Sequence, residues 1–374
     1  MTHLAIRKMT GDNTEMRELA ARICRDYLHG AWKHVNAQNI GFKHISGGLS
    51  NLLYYISLPE PLSDKEKSQA DPKEVLIRVY GQTHGEHALE ALITESVIFT
   101  LLSERGLGPK LHGIFPGGRI EQYVNARPLK TKELADEQLS VIIAQKMAAI
   151  HCMEVPLHKT PGWLWETIER WLKSSEKRLK GEVPEHVKHL VDVDLRKEMM
   201  WLRQRLEYEN SPVVFCHNDM QEGNILMRQD DSINNNTEPK IVLIDFEYCS
   251  YNYRSFDIAN HFVEWMYDYT EKEHPFFKAN LENYPTDCQR LRFIRAYLDE
   301  TGSKESPQKV LEEVEVFTLA SHFFWALWAI VNTKTSQIPF GYWEYGAERL
   351  DAYFKMKNNI QQQQGIKRKA HELE

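Results

Sequence analysis

Three oxygen-bearing side chains near the middle of the chain have the types and the order that phosphoryl transfer requires. Residues 213–227 read VVFCHNDMQEGNILM, so an apolar stretch leads to Asp219, and Asn224 opens the next apolar stretch. A third apolar stretch, 240–244, ends at Asp245. Mg²⁺ prefers oxygen ligands, which Asn224 and Asp245 can supply, and Asp219 can accept the proton of an attacking hydroxyl. Phosphoryl transfer depends mainly on such positioning and charge stabilisation, so it is the chemistry that this set predicts.

The spacing of these residues resembles the catalytic machinery of the protein-kinase fold family. Asp219 and Asn224 match its D-x-x-x-x-N loop, and Asp245 stands where the metal-binding Asp of its DFG triplet belongs. The loop reads HND instead of HRD, and the triplet reads DFE instead of DFG. These departures argue against a protein kinase and match small-molecule kinases of the same fold. His217 is expected to organise the loop through hydrogen bonds.

The elements that must position these residues fall into two groups along the chain. The first third predicts a β-β-β-α-β-β arrangement, since short Val, Ile and Tyr-rich runs flank one stretch of helical period, which ends at Gly106. The strands are predicted at 42–45, 52–58, 75–80, 110–115 and 119–124, and the helix at 86–105. Two polar segments, 59–74 and 229–239, are predicted to be solvated loops.

From about Pro128 onward helices predominate. They are predicted at 131–151, 163–180, 194–209, 255–270, 286–299, 307–333 and 342–358, with short strands at 213–217, 224–227 and 240–244. The predicted fold class is therefore α+β, and the resemblance implies a two-lobed protein-kinase-like fold. A small N-terminal antiparallel β-sheet lobe covers 1–127, a large, mostly helical C-terminal lobe covers 128–360, and a polar tail covers 361–374. A ligand site is expected in a cleft between the lobes.

Composition excludes several other classes of protein. The 374 residues carry a net charge of −7, so no global positive field attracts nucleic acid. The five cysteines are far apart along the chain, which argues against a disulfide framework or structural zinc and favours a reducing compartment. The N-terminal segment shows no apolar signal core, so a cytoplasmic location is predicted. The apolar run 316–331 is shorter than the roughly 20 residues of a membrane span and predicts a buried helix.

The smaller lobe contains the candidates for binding the nucleotide. The segment Ser46, Gly47, Gly48, Leu49, Ser50, Asn51 links two predicted strands and could offer backbone N–H groups and hydroxyls to phosphates, although an ordinary hairpin turn has the same composition. Arg78 takes the place of the family's strand lysine, with Glu95 as its expected ion-pair partner. An unrelated surface arginine and helix glutamate remain the alternative.

The strand that ends this lobe, 121–124, is predicted to be the hinge whose backbone meets the adenine. Gln122 and Val124 are the candidates there, from their order along the chain alone.

Three later strings resemble the choline/ethanolamine kinases. Residues 245–269 read DFEYCSYNYRSFDIANHFVEWMYDY, residues 320–328 read ASHFFWALW, and residues 340–345 read FGYWEY. Together with the catalytic loop they follow the order of the family, and the resemblance covers about residues 20–358. The resemblance also implies that Gln221 lies near the nucleotide.

The residues themselves indicate a site for a fixed positive charge. Asp257, Asn260 and Glu264 share one face of a predicted helix, and Trp325 and Trp328 are three residues apart on another. A quaternary ammonium is held by aromatic faces, each contributing about 0.5–2 kcal/mol, together with a nearby carboxylate. Plain core packing is the alternative for any single ring. The predicted substrate-binding residues are Tyr248, Glu264, Tyr269, Trp325, Trp328, Phe340 and Tyr345.

The resemblance implies ATP-dependent phosphorylation of choline to phosphocholine, the first step of the CDP-choline route to phosphatidylcholine. Asp219 would be the base, and Asn224 and Asp245 would hold Mg²⁺ as the cofactor. It further implies a cytoplasmic homodimer that needs neither nucleic acid nor integral membrane contact. A kinase that prefers ethanolamine remains an alternative, as does a nucleotide-binding pseudokinase without activity.

Overall fold

The computed structural model describes residues 13–45, 51–59, 72–80, 88–229 and 241–371. The chain divides into two compact units: residues 1–127 with 228–244, and residues 128–227 with 245–374. The segment 228–244 therefore belongs to the smaller unit, although it follows the catalytic loop in sequence. The predicted phosphate loop, 46–50, lies outside the described residues, as do most of both predicted solvated loops.

The smaller unit is built on a five-stranded antiparallel sheet with the order β1-β2-β3-β5-β4. The five predicted strands are confirmed to within one or two residues. Helix α2 follows β3, and two further short strands, β6 and β9, also belong to this unit, apart from the last residue of β6. The bounds are β1 Gly41–Ile45, β2 Asn51–Ser57, β3 Glu74–Tyr80, α2 Ala88–Glu104, β4 Leu111–Phe115, β5 Gly118–Gln122, β6 Ala126–Pro128 and β9 Ile241–Leu243.

One face of this sheet packs on a helix that the sequence analysis did not assign. Helix α1 spans Asn13–Tyr27 and leads into a 3₁₀ turn, Gly30–His34. Its buried apolar side chains Leu19 and Ile23 share a core with Val75 and Ile77 of β3. The spacing of Met16, Leu19, Ala20, Ile23 and Cys24 is the helical signal that would have identified this element.

The larger unit is mostly helical. Its helices are α3 Glu137–His151, α4 Gly162–Leu179, α5 Leu195–Glu209, α6 Arg254–Glu264, α7 Asp287–Thr301, α8 Pro307–Thr335 and α9 Tyr342–His371. Its strands are β7 Val213–Cys216, β8 Ile225–Arg228, β10 Ser250–Tyr253, β11 Tyr267–Asp268 and β12 Lys278–Ala279, and 3₁₀ turns occur at Thr131–Ala135, Glu185–Asp192, Glu222–Asn224 and Leu281–Asn283.

Helix α8 is the core helix of the larger unit. It begins at Pro307, whose fixed φ suits the first helical position, and it packs against α4, α6, α7 and α9. It is the one helix among the described residues that is long and apolar enough to cross a membrane, and 83% of its most apolar window is buried inside the protein. The predicted buried helix over the apolar run 316–331 is confirmed.

Three helix boundaries differ from the sequence analysis by several residues. The helix predicted over 131–151 begins at Glu137, because Thr131–Ala135 form a 3₁₀ turn. The helix predicted over 255–270 ends at Glu264, because Tyr267 and Asp268 pair with Ala279 and Lys278 in a short antiparallel ladder. Helix α9 runs on to His371, well beyond the predicted end at 358 and through most of the predicted polar tail. That extension is rich in Gln, Lys and Arg, which have high helix propensity.

Candidate active site

Hydrogen bonds from its backbone hold the catalytic loop in place. It follows β7, which pairs antiparallel with β10, a strand that the sequence analysis did not assign. The backbone N–H groups of His217 and Asn218 each donate to the carboxylate of Asp257 on α6, both at 2.8 Å. Asn218 has a φ of +67°, a left-handed conformation that is uncommon outside glycine. Asp257 therefore holds the backbone in place immediately before Asp219.

Two further contacts fix this turn. The Asn218 side chain donates to the carbonyl of Tyr248 at 2.9 Å and accepts from Asn252 at 2.8 Å. On its other side, Asp257 pairs with His151, whose second ring nitrogen contacts the Tyr297 hydroxyl. Burial opposes ionisation of Asp257, but the hydrogen bonds and the nearby histidines keep its pKa below the ordinary value. Asp257 thus stays an anion and a permanent acceptor.

Asp219 and Asn224 are joined directly. The Asn224 Nδ2 donates to both the backbone carbonyl and the Oδ2 of Asp219, each at 2.9 Å. The donors of the Asn224 amide are used here, so its Oδ1 is the atom that can coordinate a cation. The Nδ1 of His217 accepts the backbone N–H of Asp219 at 3.3 Å, which agrees with the organising role expected for this histidine.

Several negatively charged side chains surround Asp219. Burial raises the pKa of Asp219 well above its ordinary value, and the neighbouring charges of Glu264, Asp245 and Glu247 raise it further, while the bond from Asn224 acts in the opposite direction. Like charges gathered in this way favour the binding of a divalent cation. Carboxylate and amide oxygens are the donors that Mg²⁺ prefers, so the residues present fit that ion.

Asp245 has an unusual backbone. Its φ of +64° places it in the left-handed region, where a residue with a Cβ is disfavoured. Such strain is retained where the surrounding structure requires it and is concentrated at functional sites. The side chain is half-buried. The sequence predicted this residue as a candidate for the site, but it did not predict the left-handed backbone conformation that orients its side chain.

Asn260 connects the catalytic loop to the aromatic residues. Its Oδ1 accepts from the Trp325 Nε1 at 2.7 Å and from the Ser321 hydroxyl at 2.8 Å. Its Nδ2 donates to the backbone carbonyl of Asn218 at 3.4 Å. One buried amide on α6 therefore fixes both an indole of α8 and the turn that carries Asp219.

The six predicted rings form one connected cluster. Each has another of the six, with ring centroids 5.5–6.4 Å apart, as a neighbour: Tyr248–Trp325 5.6 Å, Trp325–Trp328 5.5 Å, Trp328–Tyr345 6.3 Å, Phe340–Tyr345 5.5 Å and Tyr269–Phe340 6.4 Å. Trp325 and Tyr345 are buried, whereas Trp328, Tyr248, Tyr269 and Phe340 are half-buried. Tyr267, Phe277 and Tyr342 also join the cluster and were missed by the sequence analysis.

Glu264, predicted to be the anion of this cluster, is not an open carboxylate. It is 3% exposed and forms an ion pair with Arg349 of α9. Its second oxygen accepts the hydroxyl of Tyr269 at 2.8 Å. Arg349 is a residue that the sequence analysis missed, although its position four residues after Tyr345 places both on one face of α9.

The ion pair predicted between Arg78 and Glu95 is wrong. Arg78 instead donates through Nε to Glu121 at 2.9 Å, and Glu95 binds Arg119 at 2.6 Å. The β3–β5 register places Arg119 directly opposite Arg78, and Arg119 also donates to Glu121 at 2.7 Å. Like charges facing each other across a sheet repel, so Glu121 is needed between them.

The other predicted nucleotide residues are placed as follows. Asn51 opens β2 and pairs with Tyr80. Gln122 and Val124 are half-buried at and just beyond the end of β5, and the Gln122 Oε1 accepts the backbone N–H of Lys110 at 3.2 Å. The Gln221 side chain accepts from the backbone N–H of Gly223 at 3.1 Å. Their contact with a nucleotide stays a prediction.

Known proteins resemble this chain over nearly its whole length. The family model described as choline/ethanolamine kinase matches residues 42–354. A Homo sapiens protein named choline/ethanolamine kinase is 46% identical over 363 residues, with 95% of this chain and 89% of the relative covered. A Mus musculus protein named choline kinase alpha is 44% identical, with 90% and 80% covered.

A solved structure gives the same picture. The crystal structure of a choline kinase from Cryptosporidium parvum superposes with a TM-score of 0.74 and 29% identity, covering 92% of this chain and 96% of that one. The predicted α+β kinase-like fold class is confirmed.

Proposed function

The chain belongs to the choline/ethanolamine kinase family, and we propose that it transfers the γ-phosphoryl group of ATP to the hydroxyl of choline. The products are phosphocholine and ADP. The observation that carries this proposal is the hydrogen-bonded connection, through Asn260, between the loop of Asp219 and the indole of Trp325. It ties a phosphoryl-transfer loop to a cluster of aromatic rings, and a hydroxylated ammonium compound needs both.

Each catalytic residue has one role. Asp219, held by Asn224, accepts the proton of the choline hydroxyl as the oxygen attacks the phosphorus. Asn224, through Oδ1, and Asp245, through its carboxylate, would hold Mg²⁺, which supplies charge neutralisation for the phosphate oxygens when bound. Intact Asp219, Asn224 and Asp245 argue against a pseudokinase, because a protein that only binds nucleotide has no use for the base.

The ammonium group of choline is assigned to the aromatic cluster. A quaternary ammonium has no N–H to donate, so ring faces and a negative field are what can bind it. The half-buried rings of Trp328, Tyr248, Tyr269 and Phe340 are the ones with surface left for a ligand. Trp325 and Tyr345 are buried and pack against these rings.

The nucleotide is assigned first to residues of the smaller unit. In the smaller unit, Arg78 binds phosphate oxygens while Glu121 fixes its guanidinium through Nε. The loop Ser46–Asn51, together with Gln122, Val124 and Gln221, completes the assignment that the family resemblance implies. Glu95 supports Arg78 only indirectly, through Arg119 and Glu121.

Several further properties follow from the family and remain proposals. Phosphocholine would enter phosphatidylcholine synthesis, in keeping with a kinase of phospholipid biosynthesis. We also propose a cytoplasmic location and a homodimer. Ethanolamine is the alternative substrate, because the family acts on both amines.

The test of the catalytic assignment is Asp219→Ala. Turnover of choline should fall by about 10³-fold or more because the base is lost, while the variant stays folded and keeps its affinity for Mg²⁺-ATP. The exposed Asp299 of α7 is the control, and Asp299→Ala should leave kcat unchanged. Substantial turnover by Asp219→Ala, measured as radiolabel transfer from ATP to choline, would contradict the role of Asp219.

The test of the amine site is Trp328→Ala. It should raise KM for choline far more than KM for ATP, because one ring face of the ammonium site is removed. The control is Trp201→Ala on α5. The Lys357 Nζ lies 4.1 Å from the centroid of the Trp201 ring, and Trp201 is outside the predicted aromatic set. Equal effects of Trp328→Ala on both substrates would place that ring in the structural core.

A further inference from the structure

We propose that Arg349 determines the amine preference of this site, because it pairs with a carboxylate to which a primary ammonium, unlike a quaternary ammonium, would donate a hydrogen bond. The inference rests on the proposed function and extends it to a residue outside the predicted site. Arg349 is fully buried on α9, with its guanidinium carbon 3.8 Å from the centroid of the Tyr267 ring.

Four side chains close a ring of hydrogen bonds beside the aromatic cluster. Arg349 Nη2 donates to Glu264 Oε1 at 2.5 Å and also donates to the Tyr345 hydroxyl. The Tyr345 and Tyr269 hydroxyls are 2.8 Å apart, and Tyr269 donates to Glu264 Oε2 at 2.8 Å. Both oxygens of the carboxylate therefore receive a donor from within the protein.

The direction of each bond in this ring can be assigned. Burial raises the pKa of Tyr269 and of Tyr345 well above the ordinary value, so both hydroxyls keep their single proton. Tyr269 gives its proton to Glu264, so the bond between the two tyrosines must be donated by Tyr345. Tyr345 in turn accepts from Arg349. The donors thus run one way, from Arg349 through Tyr345 and Tyr269 to Glu264.

The charge of this group of residues is balanced. Arg349 carries one positive charge and Glu264 one negative charge, both in nearly water-free surroundings. The neighbouring His322 adds no charge, because burial and the Arg349 charge hold its pKa well below the usual range. The ring therefore offers oriented hydroxyl dipoles and a compensated carboxylate, with no open anion.

This arrangement treats the candidate amines differently. A primary ammonium brings three N–H donors, and each donor left without an acceptor on burial has a desolvation cost. A quaternary ammonium brings none and loses nothing when Glu264 already holds donors of the protein. The site as built should therefore favour choline over ethanolamine. Removing one of these donors should recover binding of the amines that carry N–H groups.

The experiment compares kcat/KM for choline, dimethylethanolamine, monomethylethanolamine and ethanolamine, which carry zero, one, two and three N–H groups. Arg349→Gln removes the charge paired with Glu264 Oε1, and Tyr269→Phe removes the donor to Oε2 with little loss of volume. Each should lower the choline-to-ethanolamine ratio about tenfold, the equivalent of one charge-assisted hydrogen bond. The shift should grow with the number of N–H groups. Arg349→Lys, which retains a charged donor, should keep the ratio within about threefold of the wild type.

The matched control is Arg290, another buried arginine, which bonds Asp287 and Glu315 and packs over the ring of Tyr284. Arg290→Gln should lower stability without changing the ratio. A purely structural role of Arg349 would lower kcat/KM for all four amines in parallel, and that result would overturn the proposal. If Arg349→Gln does not fold, an unchanged ratio in Tyr269→Phe overturns it equally. A wild type that phosphorylates none of the amines would overturn the proposed function, and this inference with it.

Discussion

In each unit of the protein, a buried arginine determines what a predicted functional residue can do. In the smaller unit, Arg119 lies between Glu95 and Glu121, and Glu121 in turn holds Arg78. In the larger unit, Arg349 holds Glu264. Neither arginine was a candidate from the sequence, since neither belongs to a catalytic motif.

The two arrangements differ in what they leave for a ligand. Around Arg119, two arginines and two carboxylates alternate in a chain that ends at Arg78, so a cation is held in a fixed place. Around Arg349, one arginine and one carboxylate form a closed ring with two tyrosines, so the charge of Glu264 is compensated and each of its oxygens already accepts a donor. The ionic chain thus leaves the charge of Arg78 available to a ligand, whereas the closed ring leaves no uncompensated charge on Glu264.

The largest expected effect is on stability and concerns the ionic chain. Arg119→Met leaves Glu95 and Glu121 without their shared cation, and breaking a buried ion pair in this way costs about 3–5 kcal/mol. Urea unfolding should detect this loss. Arg203→Met, which removes an exposed helical pair with Glu207, should cost less than about 0.5 kcal/mol. A cost below about 1 kcal/mol for Arg119→Met would show that the chain is not structurally important.

The second effect concerns the stability of the larger unit at acidic pH. His261 in the larger unit is buried, contacts the Met220 carbonyl, and has its pKa lowered by burial to about 4. Between pH 6.5 and 4 the unfolded chain binds the proton and the folded chain does not, so stability falls as the pH falls. The expected loss from this group is about 3 kcal/mol across that range.

The measurement is the free energy of unfolding between pH 7 and 4 for wild type and His261→Gln. The free energy of unfolding of the variant should depend less steeply on pH, by a slope equivalent to at most about one bound proton, because the variant has no ring to protonate. Parallel curves for the two proteins would contradict the neutral, buried state of His261.

The third effect tests whether the ionic chain presents Arg78 to the nucleotide. Glu121→Gln removes the charge that holds Arg78 and Arg119 side by side, so KM for ATP should rise about tenfold while KM for choline stays within about twofold. The control is Glu74→Gln on β3, where Glu74 accepts the Tyr55 hydroxyl. An equal rise in both KM values for Glu121→Gln would indicate general damage to the fold.

The smallest effect concerns the closed ring. Tyr345→Phe removes one hydroxyl that accepts from Arg349, and the expected loss is about 1 kcal/mol of stability with the aromatic surface retained. Thermal or urea unfolding would measure it, with Tyr353→Phe, whose hydroxyl bonds Glu198, as a comparison outside the ring. A loss above about 3 kcal/mol would mean that the ring opens as a whole when one member is removed.

The sequence was informative where chemistry imposes a spacing along the chain. The interval from Asp219 to Asn224, the position of Asp245 after an apolar strand, and the apolar periods of the strands in the smaller unit all survive in the structure. It was least informative where partners are distant in sequence. Glu95 was assigned to Arg78 by analogy, but the pairing of Arg78 with Arg119 across two antiparallel strands gives Glu95 a different partner.

The sequence by itself predicted which residues can do the chemistry, because a candidate metal-binding loop and an aromatic helix face depend on local order and helical period. Only the tertiary structure decided which charges remain open. Arg349 and Glu264 are 85 residues apart, and Trp325 and Asn260 are 65 apart. Burial makes each unpaired charge or donor costly, so the partners that packing brings together, and not the motifs alone, determine the electrostatics of the site.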